Sequence, residues 1–266
     1  MRAVRFREIM LAAAGLIGLA AFGSISPALA DVYVTDVEFS VGNTGDEDTV
    51  YIWGNGFNSY EDVYSGQLTF TVGNNSYGPD GELPAGSTVP VWCVDIYHDI
   101  GLGQNGGLTG NIDFKLGALS TNNDGSNLTQ QQINAMSWLI VAGDAYLSTH
   151  ATVDVSGAIQ LALWDLEYGT AYGGTGFAYK NASSANMVSL ATSYINSAWA
   201  NKNNSAYDSY VYTLNNSDVQ SFAFAEMPTN PPQLVPEPGS LALLGGALLG
   251  FAGVWHLRRR RRGRCP

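Results

Sequence analysis

Apolar and polar positions change their rhythm twice along this chain. From Val32 to Tyr97 the apolar residues come in short runs rich in β-branched and aromatic types, punctuated by turn residues. Val32 to Val34, Val37 to Val41 and Val50 to Trp53 read as strands, and Gln67 to Val72 alternates with Leu68, Phe70 and Val72 on one face. Val89 to Tyr97 reads as a further strand, with Pro90 tolerated near its start. Gly42-Asn43, Asn55-Gly56 and Gly73-Asn74 supply the turns. After Asn127 the period lengthens. Thr129 and Gln132 form a capping box, Leu128 and Ile133 a hydrophobic staple, and Ile133, Met136 and Ile140 follow at helical spacing, predicting a helix from Gln130 to about Leu147. A second helix is expected from Asp154 to Glu167, ended by Gly169. A third, from Ser183 to Ala200, carries Met187, Leu190, Tyr194, Ile195, Ala198 and Trp199 on one stripe. Strands return at Tyr210 to Leu214 and Ser221 to Ala225. The expected class is α+β: a mainly antiparallel β-sandwich or barrel with a helical insertion of about three helices. No internal repeat is evident.

Charge divides the 266 residues into a body and two ends. The net charge is −11, yet nine of the twelve Lys and Arg lie in the first seven or last nine residues. Between Asp31 and Leu234 three lysines face 21 acidic residues, which excludes nucleic acid as a main partner. Arg2, Arg5 and Arg7, an apolar run from Ile9 to Gly23, and Ala28-Leu29-Ala30 have the order of a signal peptide, residues 1–30, cleaved before Asp31. A retained N-terminal anchor is the alternative. Residues 31–227 then form the working domain, large enough to bury a core without disulfides, and 228–234 a Pro-rich linker.

In the last segment, 235–266, Pro236-Glu237-Pro238 precedes an apolar stretch from Gly239 to Leu257. Arg258, Arg259, Arg260, Arg261 and Arg262 follow. Nineteen residues at a rise of about 1.5 Å span roughly the hydrocarbon core, and the arginines would hold the cytoplasmic side. Physically this is a transmembrane anchor. The order of motif, span and arginine cluster resembles the PEP-CTERM sorting signal of Gram-negative bacteria. The resemblance implies that an exosortase-type transpeptidase recognises Pro236, Glu237 and Pro238 and removes the helix. The protein would be anchored transiently in the inner membrane, then delivered to the cell surface or extracellular matrix.

Removing that tail removes Cys265 and leaves Cys93 as the exported domain's single cysteine, so no internal disulfide can form. Its setting, Trp92-Cys93-Val94-Asp95, reads as a buried strand in which a cysteine can serve simply as a small hydrophobe. In the second helix Gln160 sits among apolar neighbours, as a hydrogen-bonded core residue or on an exposed stripe with Trp164. The pairing of Trp92-Cys93-Val94 with Ile159-Gln160-Leu161-Ala162-Leu163-Trp164 resembles the thioester domains of bacterial surface adhesins. Ala135 to Leu139 is similar to the helix that often precedes the glutamine. Ile159 stands where the family commonly has Thr, and Leu163 where Ile is commoner.

The resemblance implies an internal thioester between Cys93 and Gln160, open to displacement by an amine or hydroxyl on an unknown partner or an exopolysaccharide. Such a protein is a single-use covalent binder, not an enzyme. Trp92 and Trp164 would shield the bond from water or merely fill the core. Asp95 reads as an orienting group or as a solvent-facing strand carboxylate. Two other functions stay open: a non-covalent structural or adhesive matrix component, and a Cys–His hydrolase drawing on His98 or His150, both otherwise surface residues. No cofactor is implied. One cysteine and two histidines make no zinc site, and no Gly-rich phosphate loop precedes a lysine. Asp46-Glu47-Asp48 and Asn122-Asn123-Asp124-Gly125 lack the ligand spacing of a calcium loop, though so acidic a body attracts divalent cations.

Overall fold

A computed structural model describes residues 31–39, 49–73, 76–77, 82–98, 100, 111–120, 127–180, 182, 184–226 and 231–234. The signal-peptide and sorting segments, the Gly42-Asn43 turn and the two acidic turns lie outside the described residues. Among the described residues no helix is long and apolar enough to cross a membrane.

The fold is α+β. Six antiparallel strands close into a barrel: β1 (Asp31–Phe39), β4 (Leu68–Val72), β7 (Thr88–Cys93), β11 (Phe222–Ala225), β10 (Val211–Asn215) and β8 (Ile112–Ala118), with β8 pairing back to β1. Of the two architectures the pattern allowed, the barrel is therefore the one formed. Alternation fills its interior: Phe70, Phe114 and Phe222 meet with ring centroids 4.7–6.0 Å apart, packed edge-on or tilted. Outside the barrel lie a three-stranded sheet ordered β3 (Glu61–Tyr64), β2 (Thr49–Gly54) and β9 (Phe177–Lys180), and a small hairpin of β5 (Ser76–Tyr77) and β6 (Glu82–Leu83).

Three helices occupy the expected segments, α1 (Gln130–His150), α2 (Val153–Tyr168) and α3 (Ala185–Ala200). The capping box forms as read: Thr129 Oγ1 accepts from the Gln132 N–H, and Gln132 Oε1 accepts from the Thr129 N–H. Helix α2 is apolar nearly all round and is buried nearly all round, the property of a central helix. Glycines let its neighbours approach. A Cβ on Gly143 of α1 would stand 3.2 Å from Ile159, and one on Gly157 would meet Met187 of α3. The α2 N-terminus is tied to the approach of β4, because Ser65 Oγ donates to the Gly157 carbonyl and the Gln67 N–H donates to Ser156 Oγ. These contacts fix the helix axially and so fix the position of Gln160.

Candidate functional site

Strand β7 brings Cys93 to the site. Its period of two places Val89, Val91 and Cys93 on one face and Trp92 on the other. The strand was expected to run to Tyr97 but ends at Cys93. Asp95 closes an Asx turn there, its Oδ1 accepting the Tyr97 N–H at 2.9 Å, which turns the chain out of the sheet. This turn also corrects one reading of Asp95. The residue is fully buried, and its other carboxylate oxygen lies 2.7 Å from Nδ1 of His98.

Gln160 projects from α2 onto the end of this strand, in the core and not on an exposed stripe. Its Oε1 accepts the backbone N–H of Cys93 at 3.0 Å, and its Nε2 donates to the Cys93 carbonyl at 2.7 Å. Residues 67 apart in sequence are thus locked amide to amide. The two sequence-derived positions meet, with the acyl carbon of one beside the thiol-bearing residue of the other. The Cys93 Sγ donates to the Asp95 carbonyl at 3.1 Å, and Gln220 Nε2 donates to the same carbonyl at 2.9 Å. Burial pushes the thiol far above its ordinary range, and the negative charges of Asp95 and Glu167 add to this. The Asp95 carbonyl contact pulls the other way, and so does the Trp164 indole N–H, which faces the sulfur without completing a hydrogen bond.

The two tryptophans divide their work. Trp164 is buried beside Cys93 and lines a cleft of about 710 Å³ together with Cys93, Gln160, Tyr97, His98 and Gln220. Trp92 points away, and its indole N–H is held by Asp144 Oδ1 at 2.8 Å, so it supports the strand from behind. His150 does not reach the site: it is exposed at the end of α1 and stacks on Tyr146 at 4.1 Å. His98 does reach it, with 33% of its side chain exposed and its imidazole on the cleft wall. Gln220 and Asp144 were not marked by any pattern. Gln220 follows a loop, and Asp144 reads as the polar face of an amphipathic helix. Among the described residues no group of acidic, His and Cys side chains is arranged to hold a metal ion.

No curated protein matches this chain, and no solved structure does. A family model does match at the C-terminus, over the segment that begins just before Pro236-Glu237-Pro238: the PEP-CTERM protein-sorting motif, residues 234–261, a signal that supports exosortase processing, export and transient membrane anchoring before surface or extracellular release.

Proposed function

We propose that the exported domain is a single-use covalent binder whose electrophile is an internal thioester between Cys93 and Gln160. The observation that carries this reading is the bidentate contact of the Gln160 carboxamide with the Cys93 backbone. In the forming reaction the sulfur bonds to the Gln160 acyl carbon and the C–N bond breaks. Ammonia leaves with the thiol proton. The Cys93 N–H already points at the oxygen that becomes the oxyanion, and the Cys93 carbonyl holds the amide nitrogen that departs. Burial then favours persistence, because a thiolate of high basicity is a poor leaving group and the core withholds water. A partner nucleophile entering the cleft beside Trp164 would take the acyl group, and Cys93 would return to a thiol. As a surface or matrix protein, the chain would then be joined to its target by a bond that dilution cannot reverse.

The test is intact-mass measurement of the purified domain. Wild type is expected to be lighter than its calculated mass by one ammonia, and to gain one methylamine when treated with it. Cys93→Ala should show neither change. A wild-type domain of full mass, with Cys93 labelled by a thiol reagent on unfolding, would leave a non-covalent matrix component in which Gln160 merely terminates β7.

A further inference from the structure

We infer that Asp95 and His98 form a general-base pair that directs the thioester toward hydroxyl acceptors, so that the covalent product is an ester to a saccharide-like partner. This rests on the thioester reading above. Asp95 is fully buried, and both of its carboxylate oxygens are engaged, one by the Tyr97 N–H at 2.9 Å and the other by His98 Nδ1 at 2.7 Å. A carboxylate accepts only, so it selects the imidazole tautomer protonated at Nδ1, and Nε2 becomes the ring's acceptor. That ring lines the same cleft as Cys93 and Gln160. The Asx turn that ends β7 therefore does two things: it stops the strand at the sulfur, and it presents an oriented base three residues further on.

The chemistry of the acceptor follows from what a base is needed for. An amine attacks through its neutral form and has lost its extra proton before it reacts. A hydroxyl is neutral and weakly nucleophilic, so its proton must leave as the C–O bond forms. An oriented imidazole is thus of consequence mainly for hydroxyls. In the step, the acceptor oxygen bonds to the Gln160 acyl carbon, the C–S bond breaks, and the proton passes to His98 Nε2 and then to the departing Cys93 thiolate. The product is an ester and a thiol. The remaining cleft wall has matching groups. Phe57 and Tyr97 meet edge to face at 5.3 Å and offer an aromatic surface, while Asn58, Glu61 and Asp62 offer acceptors for hydroxyl protons.

The experiment follows adduct masses for wild type, His98→Ala and Asp95→Asn with two probes, glycerol and methylamine. All three chains should be lighter by one ammonia at the start. Wild type should form a glycerol ester. His98→Ala should form it about a hundredfold more slowly while adding methylamine at the wild-type rate, and added imidazole should restore the ester reaction. Asp95→Asn should be as slow with glycerol and should not be rescued by imidazole, because its own histidine still occupies the place. Three outcomes overturn the inference with the wild-type thioester intact: equal glycerol rates in wild type and His98→Ala, equal slowing with both probes, or variants that no longer form the thioester, which would make the pair purely structural. A wild-type chain of full mass and inert to methylamine overturns the thioester reading itself, and this inference with it.

Discussion

Methylamine treatment of the wild-type domain is expected to lower its unfolding free energy by about 4 kcal/mol, with no change in Cys93→Ala. The size follows from the chain between the two residues. A covalent link across a separation of 67 residues denies the unfolded chain most of its loop-closure entropy, and the folded state, where the residues already touch, gains little. Cutting the link returns that entropy. The cleaved chain can regain in part the hydrogen bonds of the unreacted Gln160 carboxamide with Cys93, since the new N-methyl amide brings one N–H beside its carbonyl. Urea denaturation gives a second, independent sign. The linked chain is more compact when unfolded, so its dependence on denaturant should be shallower than that of the cleaved chain. Coincident urea curves before and after methylamine would mean that no covalent link existed to be cut.

Without the link, Gln160 would still matter, and this bears on how much the sequence disclosed. Gln160→Leu removes the partners of a buried N–H and a buried C=O at the end of β7, at a cost of about 1–3 kcal/mol for each unsatisfied group. A structural glutamine and a thioester glutamine thus occupy the same place and make the same contacts before reaction. The resemblance to thioester domains paired the two residues; the amino-acid pattern alone, an amide flanked by Ile159 and Leu161 in a mostly apolar helix, left Gln160 as a hydrogen-bonded core residue or part of an exposed stripe. It could not distinguish the two roles.

The helices were legible for the same local reasons that form them. Thr129, Gln132 and Gly169 mark their ends, and the structure departs from the reading by only a few residues. The strands were less so. β8 alternates Ile112, Phe114 and Leu116 toward the interior with Asp113 and Lys115 outward, a short pattern cut off by Gly117 and without a β-branched run, and β3, with Glu61 and Asp62, is exposed. Barrel closure depends on β8 pairing with both β1 and β10, a long-range fact that no local window contains. The Asp95 turn was hidden by the apolar context on either side, which reads as continuous strand.

Stability is expected to fall as pH rises from about 4 to about 7, and Asp144→Asn should remove much of that slope. The Asp144 carboxyl is enclosed between α1 and the barrel, where Oδ1 accepts from Trp92 Nε1 at 2.8 Å and from Gln67 Nε2 at 2.6 Å, while Oδ2 is buried without a partner. Burial raises its pKa to about 7, against the opposing pull of the Trp92 and Gln67 donors. Below the ordinary carboxylate value both folded and unfolded chains hold the proton, and the site's full contribution is present. Above it the unfolded chain releases the proton while the fold retains it, so each pH unit up to about 7 costs the fold about 1.4 kcal/mol, to a total of about 4 kcal/mol. Beyond pH 7 both states are ionised and the loss is complete. Asparagine reproduces the protonated carboxyl, because its carbonyl can accept both N–H groups and it carries no charge to bury. Asp165 and Asp208 are shifted the same way by burial, so the difference between wild type and Asp144→Asn isolates this carboxyl. Asp144→Asn should match wild type near pH 4 and exceed it near pH 8. Asp144→Ala, which strands both donors, should be the weaker protein at pH 4. Parallel stability curves for wild type and Asp144→Asn from pH 4 to 8 would mean that the carboxyl titrates as it would in water, and that the Trp92 support behind Cys93 does not depend on its proton.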